Sequence, residues 1–166
     1  MRRLAILTLS PILMTMLAAS PAQAANTRLQ AESYTAQQGT HVVPDPSPSG
    51  GLLVGGLSDG DWLRYDGVVA QRARVTLLCF SSPAPAGTQT GTVEIRIGSL
   101  TAAPLMQIPI RVWLNGGFKQ WANGGAFPDG THTVYLTIRQ PSGASPFNLD
   151  YLYLSEYPPP PSLNCS

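Results

Sequence analysis

The amino-acid sequence predicts an all-β protein, a two-sheet antiparallel β-sandwich closed over an apolar core. Three observations predict it. No window shows the i, i+3, i+4, i+7 apolar spacing of an amphipathic helix over several turns. Several segments alternate polar and apolar residues with period two, as half-buried strands do. Gly and Pro, 16 of each in 166 residues, separate those segments as turns. Many short strands punctuated in this way pack as a sandwich or a barrel, and two facing sheets are the form expected here.

Taken in chain order, the first segment stands apart. Arg2 and Arg3 precede a nearly continuous apolar run from Leu4 to Leu17, and Ala22-Gln23-Ala24 follows with the small-x-small pattern of a cleavage site. This is the pattern of a secretory signal, so residues 1–24 are expected to be removed and the mature chain to be extracellular. The apolar run is short and interrupted by Pro11. A membrane span needs about 20 apolar residues, so no membrane association is expected once the signal is gone. Residues 25–156 then form one domain, and 157–166 a Pro-rich tail or linker that starts with the Pro158–Pro161 run.

Within the domain, Asp61 to Asp66 and Thr92 to Ile97 alternate with period two. From Thr131 to Arg139, Val134, Leu136 and Ile138 face one way while Thr133, Tyr135 and Thr137 face the other. Asn148 to Leu154 places Leu149, Tyr151 and Tyr153 on one side. Ser58-Asp59-Gly60, Gly116-Gly117, Gly124-Gly125 and Pro128-Asp129-Gly130 supply turns, and Pro44 to Gly51 a loop.

Charge is sparse: 11% of residues are charged and the formal net charge is +1. Lys119 is the sole lysine and the arginines are scattered, which argues against a nucleic-acid partner. An extracellular location permits a disulfide between Cys79 and Cys165. The plainer expectation is that Cys79, inside the apolar run Val75 to Phe80, is a small core residue.

The order of motifs carries further information. Leu29-Gln30-Ala31-Glu32-Ser33-Tyr34 opens the domain, and Val54-Gly55-Gly56-Leu57-Ser58-Asp59-Gly60-Asp61-Trp62-Leu63-Arg64-Tyr65 follows. Gly91 to Arg96, Gly116-Gly117-Phe118-Lys119-Gln120-Trp121, Gly130 to Leu136 and Phe147-Asn148-Leu149-Asp150-Tyr151 complete the series. Each motif alone is weak. In this order, from about Arg28 to Leu154, they resemble a family 6 carbohydrate-binding module, with family 35 modules as the nearest alternative.

The resemblance implies a jelly-roll sandwich that binds a polysaccharide or oligosaccharide such as xylan or β-glucan. It also implies no catalysis of the module's own, attachment to or association with a glycoside hydrolase, and a structural Ca2+. The positions matching the metal ligands are Gln30, Glu32 and Asp150. Calcium takes several oxygen donors, and a carboxylate at Asp150 among apolar neighbours would gain from a cation shared with Glu32.

Such modules hold sugars by stacking aromatic faces on pyranose C–H groups, with amides fixing the hydroxyls. The loop-end cleft of the family falls here on Asn148 and on Phe118, where the family usually has Trp. The second stacking position falls at Gly56, so half of the usual clamp is missing. An acidic contact position near Val43 is also lost. Trp113 either supplies a replacement platform or packs in the core, and Trp121 is expected in the core. Trp62 and Glu94 match a second cleft on one sheet face, so both sites stay open. With a degraded cleft, an extracellular protein-binding or adhesion domain is the alternative. Catalysis is not expected: Asp59, Asp61, Asp66, Glu94 and Asp129 show no pairing across an apolar pocket. His41 and His132 are isolated in the sequence.

Overall fold

The computed structural model describes residues 26–46, 51–114, 119–157 and 165. The expected signal peptide, Phe118 with the preceding Gly116-Gly117 turn, and the Pro158–Pro161 run lie outside these residues. Among the described residues no helix is long and apolar enough to cross a membrane.

The strands are β1 (Thr27–Gln30), β2 (Ala36–Gln38), β3 (His41–Pro44), β4 (Leu52–Leu57), β5 (Trp62–Ala70), β6 (Val75–Ser81), β7 (Gln89–Ile97), β8 (Met106–Arg111), β9 (Gln120–Gly124), β10 (Gly130–Arg139) and β11 (Phe147–Ser155). A single 3-10 turn, Ala31–Ser33, follows β1. One sheet has the order β3-β4-β11-β6-β9, with β1 also paired to β11; the other has the order β2-β5-β10-β7-β8. Every pairing is antiparallel. The all-β, two-sheet expectation holds.

The period-two pattern explains the core. Val134, Leu136 and Ile138 on β10 are fully buried and meet Val93 and Ile95 of β7 and Leu63 of β5. Phe80 and Phe147 close the opposite side edge to face, with ring centroids 6.3 Å apart. Burial of side chains of this size stabilises by about 1.5–3 kcal/mol each. Tyr65 is also interior, and its hydroxyl donates to the Ala31 carbonyl at 2.8 Å. This bond ties the 3-10 turn over the core; burial foremost raises the phenol well above its ordinary pKa.

β11 departs from the expected alternation. Leu149 faces the core, but Tyr151 and Tyr153 do not; Leu152 and Leu154 take the inward positions. The cause is a register shift between Leu149 and Tyr151 against β6; against β4 the pairing shifts earlier, between Phe147 and Leu149. The irregularity places Asp150 beside Tyr151 and inverts the parity of the rest of the strand.

The outward tyrosines belong to a second cluster with Leu77, Cys79 and Cys165. Cys79 and Cys165 are joined as a disulfide across a sequence separation of 86, with Cα atoms 5.5 Å apart. The open question of whether the two cysteines pair is thereby answered, and the plainer expectation of Cys79 as a residue of the sandwich core is corrected: its side chain faces outward, toward Cys165. Trp121 is likewise half-buried in this outer cluster, not in the sandwich core, and meets Tyr151 edge to face at 5.3 Å. The Arg28 guanidinium caps the same tyrosine at 3.8 Å.

Candidate functional site

At one end of the six-stranded sheet the strand register aligns a transverse row. His41 pairs with Gly55, Phe147 with Leu57 and Asn148 with Ser81, while Phe80 pairs with Gln120. The row therefore runs from β3 across β4, β11 and β6 to the start of β9. Asn148 is half-buried, and its Oδ1 accepts the Gly56 N–H at 3.2 Å. Gly56 has φ +72°, a backbone that glycine adopts without cost.

Lys119 anchors the far part of this row, and the sequence analysis missed it. Its Nζ lies 2.9 Å from Asp150 Oδ2 and also forms an ion pair with Asp45. All three side chains are at least nine-tenths buried. Burial lowers the ammonium pKa, but hydrogen bonds to the two carboxylates outweigh it, and the net shift is upward. The available signal was a sole lysine placed next to the stacking candidate Phe118. The cluster joins β9, β11 and the segment after β3, and so fixes the chain at the residue following Phe118.

Trp113 lies beyond β8 and is 62% exposed, which answers whether it is core. Gln120 Oε1 accepts both the Trp113 and Leu114 N–H groups, holding this loop against the start of β9. The Arg111 guanidinium stands 5.8 Å from the Trp113 ring centroid. One ring face is therefore approached by a cation, while the ring as a whole stays largely exposed.

The calcium-ligand candidates occupy different surroundings. Glu32, in the 3-10 turn, has a buried Oε2 without a hydrogen-bond partner, which suits a cation. Gln30 is exposed at the end of β1, and its carbonyl accepts the Ser33 hydroxyl at 2.6 Å. Asp150 has Lys119 as its partner and lies 3.6 Å from the Cys79 sulfur on the outer face. Among the described residues no three His, Cys, Asp or Glu side chains are placed to hold a metal. Glu32 thus fits a cation as it stands, whereas Asp150 joins one only by exchanging Lys119 for it.

The five-stranded sheet carries the second candidate. Gln38, Trp62, Thr137, Glu94 and Gln107 form a row across all five strands. Trp62 is half-buried on the outer face; its Nε1 donates to Gln38 Oε1 at 3.1 Å, and its ring sits 6.2 Å from Tyr135. A pocket of about 130 Å³ lies here, lined by residues including Trp62, Leu100, Arg96 and Arg139. Glu94 is buried and receives hydrogen bonds from Arg96, Thr137, Gln107 and Arg139. Burial raises its pKa, yet Arg96 and the other donors prevail and hold the carboxyl below its usual range. The carboxylate is charged but fully engaged by the protein.

The remaining carboxylates considered for catalysis have structural partners. Asp59 accepts the Gln140 N–H, Asp61 the Ser58 N–H, and Asp129 the Arg72 N–H; Asp66 forms an ion pair with Arg64. His132 lies edge-on to Phe127, with its Nε2 3.1 Å from the Pro128 carbonyl.

A family model described as carbohydrate binding module (family 6) matches residues 30–156. Among solved structures, a β-1,3-glucan-binding family 6 module from Bacillus halodurans is similar at 27% identity and a TM-score of 0.69, covering 78% of this chain and 95% of that one. A family 6 module from Clostridium cellulolyticum, solved with xylose, is similar at 26% identity and a TM-score of 0.64, covering 78% of this chain and 97% of that one. A family 43 arabinoxylan arabinofuranohydrolase from Bacillus subtilis, solved with cellotetraose, shares the fold at 18% identity and a TM-score of 0.64. There the likeness covers 78% of this chain but only 27% of that enzyme.

Proposed function

The chain belongs to carbohydrate-binding module family 6, and on that premise we propose that it is a secreted, non-catalytic module binding a neutral glucan or xylan at its loop end. Asn148 fixes a sugar hydroxyl, and Trp113 and Phe118 offer faces on which pyranose rings stack. The observation that carries this reading is Trp113, a large aromatic left 62% exposed on a loop held in place through Gln120. The sugar classes come from the two solved relatives above 25% identity, one binding β-1,3-glucan and one holding xylose. A polysaccharide-degrading enzyme, fused or associated, is the natural partner of such a module. The pocket beside Trp62 favours a second reading on the sheet face, but the charged groups there are already bonded to one another.

A structural Ca2+ is part of the proposal. Glu32 would hold it at the start of the domain with Gln30 as a further donor, and Asp150 would join only where the cation takes the place of Lys119. The test is retention of the purified mature chain on immobilised β-1,3-glucan, xylan and cellulose, with calcium and with a chelator. Retention on at least one, together with a melting temperature lowered by the chelator, is expected, since a ligand held only by the folded state stabilises it. No retention on any of them with calcium present would transfer the reading to a protein-binding or adhesion domain. An unchanged melt would remove the calcium.

A further inference from the structure

We propose that His41 is a ligand-facing ring of the loop-end site, stacking on the same pyranose whose hydroxyl Asn148 binds. This rests on the sugar-binding reading above and names a residue that reading does not use.

The observation lies at Gly56. A Cβ built there would meet His41 Cε1 at 3.1 Å and Nδ1 at 3.7 Å. The imidazole therefore lies against the space in which a side chain at Gly56 would stand. Its neighbour Gly55 is equally bare, and a Cβ there would meet the Val43 methyls at 3.0 Å and Asn148 Oδ1 at 3.6 Å. Two consecutive glycines thus leave a stretch of β4 without side chains, with the His41 ring on the β3 side and the Asn148 amide on the β11 side. The space over these glycines is taken by the Val43 methyls and the His41 ring, so a ligand held by the Asn148 amide meets the imidazole rather than a β4 side chain.

Both flanking groups have unspent chemistry. Asn148 is oriented by the Gly56 N–H through Oδ1, and its Nδ2 has no hydrogen-bond partner among the described residues. That amide nitrogen can donate to a hydroxyl. His41 is exposed, and neither ring nitrogen has a hydrogen-bond partner among the described residues. An imidazole offers an aromatic face to sugar C–H groups and a nitrogen edge to hydroxyls. One residue can therefore supply both a stacking surface and a polar contact in a site whose Gly56 supplies neither.

The experiment is calorimetric titration of the mature chain and of His41→Ala, His41→Gln and His41→Phe with β-1,3-glucan and xylan oligosaccharides, each variant also melted. His41→Ala and His41→Gln should weaken binding about tenfold, and His41→Phe should stay within about threefold of the parent, as expected when a ring face carries the contact. All three should melt with the parent, since an exposed ring contributes little to stability. Parental affinity in His41→Ala, or a His41→Phe as weak as His41→Ala, would overturn the role assigned to the ring. A parent chain that binds none of these sugars defeats the sugar-binding reading first, and so is told apart from a failure at His41 alone.

Discussion

The outer faces of the two sheets hold similar groups and use them in opposite ways. On the five-stranded sheet, Glu94, Arg96, Arg139, Thr137 and Gln107 are bonded to one another, and the Trp62 N–H is given to Gln38. At the loop end of the six-stranded sheet, the charges of Lys119, Asp45 and Asp150 are buried together, while the Asn148 amide and the Trp113 ring remain at the surface. The first face satisfies its own donors and acceptors. The second satisfies its charges below the surface and leaves neutral groups on it. A sugar is itself neutral and bonds through hydroxyls, so the second arrangement suits it: binding there displaces water and breaks no ion pair.

The largest effect is expected where the buried charges are interrupted. Lys119→Met would remove the cation that Asp45 and Asp150 share. Removing one partner of a buried pair costs about 3–5 kcal/mol, because the uncompensated charge remains. Urea unfolding should show a loss of this size, accompanied by loss of sugar retention, since the residue after Phe118 is no longer anchored. A loss below about 1 kcal/mol would mean that the cluster is solvated, as surface pairs are, and the contrast between the faces would fail on its stability side.

Binding sharpens the contrast at a smaller energy. Phe118→Ala is expected to weaken sugar binding about tenfold, roughly 1.4 kcal/mol, with little change in melting temperature. Trp62→Ala should change affinity less than about twofold, its ring being engaged by Gln38 and Tyr135. Oligosaccharide titrations of the two variants decide the matter. The reversed pattern, a loss at Trp62 and none at Phe118, would move the ligand to the pocket on the sheet face.

Much of the fold was legible because period-two alternation is a local signal. β5, β7 and β10 bury the residues expected of them. The end of β11 was not legible, because a single irregular residue at Asp150 reverses the parity of everything after it, and no turn residue marks it. The partner of Asp150 was hidden for a different reason: apolar neighbours along β11 suggested a shared cation, whereas Lys119 comes to it from the residue before β9, a contact no local pattern shows. The disulfide was left open because the unbroken apolar run from Val75 to Phe80 does not show that Leu78 and Phe80 face the core while Leu77 and Cys79 face outward. At the proposed site, Asn148 was named from its motif, but His41 was not. Its placement depends on a cross-strand pairing with Gly55 and on a left-handed glycine at position 56, and neither is a feature of the residues around His41 itself.

The smallest effect tests the sheet face directly. Arg96, Thr137 and Gln107 favour the ionised form of Glu94, so the folded protein binds this proton more weakly than the unfolded chain. A group of this kind contributes stability above its unfolded pKa, about 4.3 for Glu, and loses it as the pH falls through the lower folded value. Glu94→Gln should therefore lower the melting temperature at neutral pH, and the gap to the parent should close as the solution is taken below about pH 4. Sugar affinity at neutral pH should not move, because the network serves the sheet and not the ligand. A gap that persists in acid would show that packing and not charge holds Glu94 in place. A fall in affinity would show that the sheet face contributes to the site after all.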